Sequence, residues 1–277
     1  MSTETIDILF SKYNARYKQI EDIVKQFSAV YSGNVVPGER IFQVVENYAK
    51  RNDVPIQMLR FPINDMELWA FTFLKQGTIF LCVNTALPIN KQLFAVAHEL
   101  YHIYCFVEDV NQSCIRNGSI LKEDIASELC SADLEELEAN AFSGMLLMPT
   151  QAVREQLDIL GIGSRNLSID DVLIMMEIFA IPYKATVLRL YECGIISHQK
   201  MTDLFGIDQM TVLDRISKTG RAKRWMRDGS GTELFGTLLD DFAYNVDHHL
   251  LIQTREKDDE KYISSLKKQY ALEAGKV

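Results

Sequence analysis

Between Leu93 and Tyr104 the chain reads Leu-Phe-Ala-Val-Ala-His-Glu-Leu-Tyr-His-Ile-Tyr, an apolar run broken only by His98, Glu99 and His102. This segment constrains the fold more than any other. Flanked by Lys91 and Phe106, it is long enough for a helix that is apolar almost all round, and such a helix belongs inside a protein. Two imidazoles and a carboxylate are costly there without partners. On a helix, His98 and His102 stand one turn apart on one face, while Glu99 projects about 100° away from His98. Imidazoles at i and i+4 can share one metal ion. A carboxylate beside the ion, rather than on it, is placed to take a proton from water. Zinc suits such a set because it accepts nitrogen and oxygen ligands in a tetrahedron, although manganese or iron also accept two histidines and a carboxylate. The chain holds only five histidines, and two of them are here.

The segments around this helix follow from periodicity. Ile6, Leu9, Phe10, Tyr13, Tyr17, Ile20, Ile23, Val24 and Phe27 predict an amphipathic helix over 5–31, broken by Gly33 and Pro37-Gly38. A second helix is expected over 40–51. Leu68–Leu74 and Thr78–Val83, joined at Lys75-Gln76-Gly77, predict a β-hairpin. Asn90 is the expected N-cap of a helix over 91–106. Residues 107–132 read as a loop. Asp133 is then the expected cap of a helix that runs to Met148 and stops before Pro149. Ser168 and Asp171 form a capping-box pattern, with Asp in place of Glu. A faint repeat of 26 residues relates Phe179-Ala180-Ile181, Arg189-Leu190 and Gly194 to Phe205-Gly206-Ile207, Arg215-Ile216 and Gly220. Each copy has the form of paired helices, either a helix-turn-helix or part of a bundle. A last charged helix is expected over 256–272.

A catalytic metal needs a third protein ligand and an open position. Glu138 lies among Leu134, Ala141, Phe142 and Met145 on an otherwise apolar helical stripe. Periodicity leaves it either a ligand or a boundary residue of an acidic segment, and it assigns Glu135 and Glu136 to solvent. His98-Glu99-Leu100-Tyr101-His102 followed by Glu138-Ala139-Asn140-Ala141-Phe142-Ser143-Gly144-Met145-Leu146-Leu147-Met148-Pro149 resembles the ImmA/IrrE family of metallopeptidases. Tyr101 and Ser143 depart from the family pattern, in which glycine and alanine are usual. The resemblance covers about residues 35–200. It implies Glu138 as third ligand, one zinc ion as cofactor, and Glu99 as general base. It also implies an α+β fold: a mostly helical zincin-like peptidase domain with a small antiparallel sheet, then a helical, helix-turn-helix-like C-terminal region. The expected division is 1–34, 35–165, 166–222 and 223–277. The implied substrate is a helix-turn-helix transcriptional repressor, cut to release genes of mobile elements or of a stress response.

Other readings stay in view. The helical pairs and the cluster Arg221, Lys223, Arg224 and Arg227 fit a metal-containing DNA-binding regulator, and a structural metal fits an interaction module resembling a toxin–antitoxin partner. A net charge of −9 argues against direct nucleic-acid binding. An acidic N-terminal segment, no run long enough to span a bilayer, and five cysteines without a CxxC pair predict a cytoplasmic protein with free thiols and no membrane partner. The strand Thr78–Val83 is the expected docking edge for an extended substrate. Tyr101, Tyr104, His198, His248 and His249 are the candidates for stabilising an oxyanion. The acidic loop 107–132 is the candidate shield of the cleft.

Overall fold

The computed structural model describes residues 8–108, 119–122, 134–163, 167–226, 229–232 and 234–274. The elements come in the order α1 (Ile8–Ser11), α2 (Asn14–Phe27), α3 (Ile41–Asn52), β1 (Ile56–Phe61), β2 (Leu68–Lys75), β3 (Thr78–Asn84), α4 (Ile89–Val107) and β4 (Ser119–Lys122). Then follow α5 (Leu134–Leu147), α6 (Thr150–Leu160), α7 (Ile169–Phe179), α8 (Tyr183–Glu192), α9 (His198–Phe205), α10 (Gln209–Thr219), β5 (Leu234–Phe235), α11 (Leu238–Asp247) and α12 (Gln253–Ala274). The result is an α+β fold with a helical C-terminal region.

Among the described residues, one sheet holds five strands in the order β4-β2-β3-β1-β5. β2 and β3 form the expected hairpin. Its turn is two residues, Gln76 and Gly77, at φ 51° and 82°. Positive φ at both positions matches the twist of the flanking strands, which a turn of the opposite hand would splay. The sheet is mixed rather than antiparallel, because β1 runs parallel to β3 with Ile56 opposite Ile79 and Phe61 opposite Asn84. β3 therefore lies between β1 and β2 and has no free edge, which rules it out as the docking edge for a substrate.

Alternation sorts the sheet's two faces. Ile79, Leu81 and Val83 of β3, with Ala70 and Thr72 of β2, are buried. α4 packs against these strands, and α3 and α5 pack against α4. α2 lies on α5, so α4 is enclosed. Leu93, Val96, Leu100 and Ile103 are wholly buried, each contributing about 1.5–3 kcal/mol by leaving water. α4 begins at Ile89, with Pro88 in the N-cap position and Asn90 inside its first turn. Proline suits this place because its fixed φ and missing N–H cost a helix start nothing.

One hydrophobic cluster runs from Leu9 through the sheet and α4 to Trp225. The expected N-terminal helix is divided into α1 and α2, and α2 continues into a π-helical turn over Ser28–Ser32. Residues 229–232 and 234–237 return to the sheet. Thr85 accepts from Gly231 and donates to the Thr232 carbonyl, and β5 pairs antiparallel with β1. The Ser168–Asp171 capping box forms as expected: Ser168 N–H donates to the Asp171 carboxylate at 2.7 Å, and Asp171 N–H returns to Ser168 Oγ. α7–α8 and α9–α10 are the two helical pairs of the repeat. The Asp133 cap, Cys114 and Cys130 lie outside the described residues, as does loop 107–132 apart from its first two residues and β4. No described helix is long and apolar enough to cross a membrane.

Candidate metal centre

His98 and His102 face α5, and their Nε2 atoms stand 3.0 Å apart. The carboxylate that α5 brings to them is Glu136. Its Oε2 lies 3.1 Å from His98 Nε2 and its Oε1 lies 3.3 Å from His102 Nε2. The sequence expectation is corrected here. Glu138 is turned away from the pair and sits with Arg16 of α2 and Tyr101 of α4. Arg16 Nε donates to Glu138 Oε1 at 2.5 Å and Nη2 donates to Oε2 at 2.8 Å. Tyr101 Oη donates to Oε2 at 2.6 Å.

Helical geometry explains the exchange. Positions 136 and 138 are separated by about 200° around the helix, so one carboxylate alone can look at the histidines. The apolar stripe containing Glu138 does face the interior. That stripe meets α2 and the Tyr101 side of α4, where a bidentate arginine and a phenol satisfy the carboxylate. Glu135 and Glu136, expected in solvent, are instead 12% and 17% exposed and engaged with the histidines.

The outer ring nitrogens fix the tautomers. His102 Nδ1–H donates to Glu135 Oε1 at 2.8 Å, and His98 Nδ1–H donates to Asn140 Oδ1 at 3.1 Å. With those protons assigned, both neutral rings aim a lone pair inward, toward each other and toward an acidic oxygen. Three electron-pair donors converging in a buried space repel one another unless a cation lies among them. The donor atoms of His98, His102 and Glu136 lie within 4.8 Å of one another, a set that can hold a metal ion. Each imidazole also has the outer carboxylate or carbonyl partner that usually orients a histidine ligand. Burial raises the pKa of Glu136. Positive charge at the facing imidazole nitrogens outweighs it and holds the carboxyl well below its ordinary range; with both rings neutral, that charge is one a bound cation would supply.

Glu99 points to the sheet side of α4. It is wholly buried, and Thr72 of β2 donates to its Oε2 at 2.6 Å. It is not part of the group formed by His98, His102 and Glu136. Its orientation is set by a strand, which is more rigid than a loop.

Sequence reasoning missed Glu136, Asn140, Glu135, Thr72 and Arg16. One signal was available for the first two. Glu136 and Asn140 are four apart, hence on one helical face, as His98 and His102 are. Among the candidates for an oxyanion partner, Tyr101 is buried and committed to Glu138. Burial first, then the neighbouring Cys105 and Glu138, pushes its hydroxyl far above the usual tyrosine range, so it remains a neutral donor. Tyr104 stacks on Tyr101. His198 meets Tyr191 edge-on, and His248 stacks on Tyr244 at the end of α11. Of the basic cluster, Arg224 pairs with Glu39 and Arg227 lies outside the described residues; nearby on α10, Arg215 pairs with Asp170 at 2.5 Å and Lys218 with Asp214 at 2.6 Å.

Residues 51–158, from the end of α3 to α6, match the family described as the IrrE N-terminal-like domain of the M78 peptidases. Compared with curated proteins, the chain matches none.

Proposed function

We propose, from the match of residues 51–158 to the IrrE N-terminal-like domain of the M78 peptidases, that the protein is a zinc-dependent endopeptidase with His98, His102 and Glu136 as ligands and Glu99 as general base. The observation that carries this reading is the convergence of two Nε2 lone pairs and the Glu136 carboxylate, with Glu99 on the adjoining face of the same helix. A zinc ion held by these three residues would supply Lewis acidity to the scissile carbonyl and to an attacking water. Glu99 accepts that proton and delivers it to the leaving amine. Thr72 holds Glu99 in one orientation through both transfers. Asn140 and Glu135 keep the two imidazoles in the tautomer that presents Nε2. The enclosed α4 excludes bulk water, which strengthens every charge interaction at the site.

The substrate we infer is a helix-turn-helix transcriptional repressor, whose removal would derepress genes of mobile elements or of a stress response. The family resemblance supports this reading. Its test is a trap: Glu99→Gln, loaded with zinc, is expressed in the native host and purified beside His98→Ala. Enrichment of one repressor on the trap alone, with cleavage of that repressor by the wild type, is the expected result. A Glu99→Gln protein that keeps both its metal and every cellular effect would instead mark the metal as structural and the protein as an interaction module.

A further inference from the structure

Thr72 ties the sheet to the general base, and it also fixes where a peptide must lie. β2 has two edges. β3 occupies one through six register pairs, from Ala70–Val83 to Lys75–Thr78. The other edge is taken by β4, antiparallel, with Ser119 opposite Thr72, Ile120 opposite Phe71, Leu121 opposite Ala70 and Lys122 opposite Leu68. In sequence, β4 lies between the histidine helix α4 and the Glu136 helix α5. The chain joining the two halves of the metal centre thus passes along the sheet edge next to Glu99.

β4 is a weakly specified strand. It makes four register pairs, and a register irregularity falls between Leu68 and Ala70. Sheet edges bind extended peptides by adding a strand, with the main chain supplying affinity. A peptide on β2 would run directly beside Thr72 and Glu99. A peptide added outside β4 would stand one strand spacing, about 4.8 Å, farther away. That offset exceeds the reach of a general base, which must lie within hydrogen-bond distance of the proton it moves.

We propose that the outer edge of β2, Leu68–Thr72, is the substrate-binding strand, and that β4 is its built-in occupant, which an extended peptide must displace to reach Glu99. The inference rests on the peptidase reading and deepens it: the substrate segment is cut as an extended strand antiparallel to β2, and the resting enzyme is held back by its own chain.

The test locks and releases β4. Phe71→Cys with Ile120→Cys places thiols at a register pair, so oxidation fastens β4 to β2 and dithiothreitol frees it. The probe is a fluorescent peptide with this chain's own sequence from Asn117 to Asp124. Anisotropy follows its binding to the zinc-loaded protein carrying Glu99→Gln, and zinc content in both redox states reports an intact fold. Oxidised protein lacking the two new cysteines is the control. The locked form is expected to bind at least ten-fold more weakly than the reduced form. Ile120→Pro and Leu121→Pro provide an independent arm. N–H groups alternate in direction along a strand, so one proline removes a ladder bond to β2 and should tighten peptide binding ten-fold, while the other should not. Equal binding by locked and reduced forms, with neither proline effective, overturns the proposal. The same double cysteine pair with Glu99 restored separates the two readings. A lock that gates binding in a protein that hydrolyses no peptide leaves the strand proposal standing and sinks the peptidase. Hydrolysis that continues unchanged in the locked state does the reverse.

Discussion

Replacing Arg16 with methionine should destabilise the protein without loosening its metal. The Glu138 carboxylate is 5% exposed, and Arg16 covers it through two hydrogen bonds. Removing one partner of a buried ion pair typically costs about 3–5 kcal/mol, because the remaining charge is left buried. Here the Arg16 side chain is itself 30% exposed, so water can partly replace it, and Tyr101 still donates to the carboxylate. The expected loss is therefore about 2–3 kcal/mol, or roughly 4–12 °C in Tm. Adding Glu138→Leu to Arg16→Met should recover part of that loss, since it removes the buried charge but also takes away the acceptor of the buried Tyr101 hydroxyl. Urea and thermal unfolding of the single and double variants measure the cycle, and bound zinc is quantified in the same samples. A double variant that regains stability and keeps zinc is the predicted outcome. One that folds but loses zinc would show that Glu138 serves the metal, and the structural role given to it would be refuted.

Asn140→Ala should weaken zinc binding by about 10–100-fold, the usual effect of removing a histidine ligand's outer partner; competition with a fluorescent chelator reads it, and unchanged affinity would detach Asn140 from the site. Thr72→Val keeps the shape but removes the hydrogen bond to Glu99, so kcat should fall about ten-fold while zinc content holds; an equal loss of zinc would mean that Thr72 supports the fold rather than the base. Burial, reinforced by Glu99 for Cys82, pushes the Cys82 and Cys105 thiols up to about 12, and burial also raises Cys193. A raised thiol pKa keeps the unreactive protonated form at pH 8, so mass mapping after iodoacetamide should find all three unmodified in native protein and modified in urea.

Much of the metal helix was legible because its chemistry conflicts with its surroundings. A buried apolar helix that carries His98, Glu99 and His102 has few physical explanations. The hairpin was equally plain, since aromatic and β-branched runs flank Gln76-Gly77. The third carboxylate was not. Glu138 was singled out because it interrupts an apolar stripe, and it is indeed buried. What the stripe could not reveal is that α2 supplies Arg16 from 122 residues away in sequence. Local periodicity says that a carboxylate needs a partner, but tertiary packing decides whether the partner is a metal or an arginine. Glu136 looked solvated because its face is polar, yet that polar face is the one turned to the histidines. β1 and β4 escaped notice because both are short and their pairing is long-range: β1 with β3 in parallel, β4 with β2 across the whole of α4. Placing β3 at the docking edge failed for the same reason, since β1 occupies the side that the sequence left open.

The most direct test of the metal centre is the zinc content of Glu136→Ala beside Glu138→Ala, measured by mass spectrometry after purification in equimolar zinc, with His98→Ala as the empty reference. The structure predicts that Glu136→Ala falls to the level of His98→Ala while Glu138→Ala, though less stable, retains about one ion per chain. Full zinc in Glu136→Ala together with an empty Glu138→Ala would contradict the assignment and return the third ligand to the residue suggested by the sequence alone.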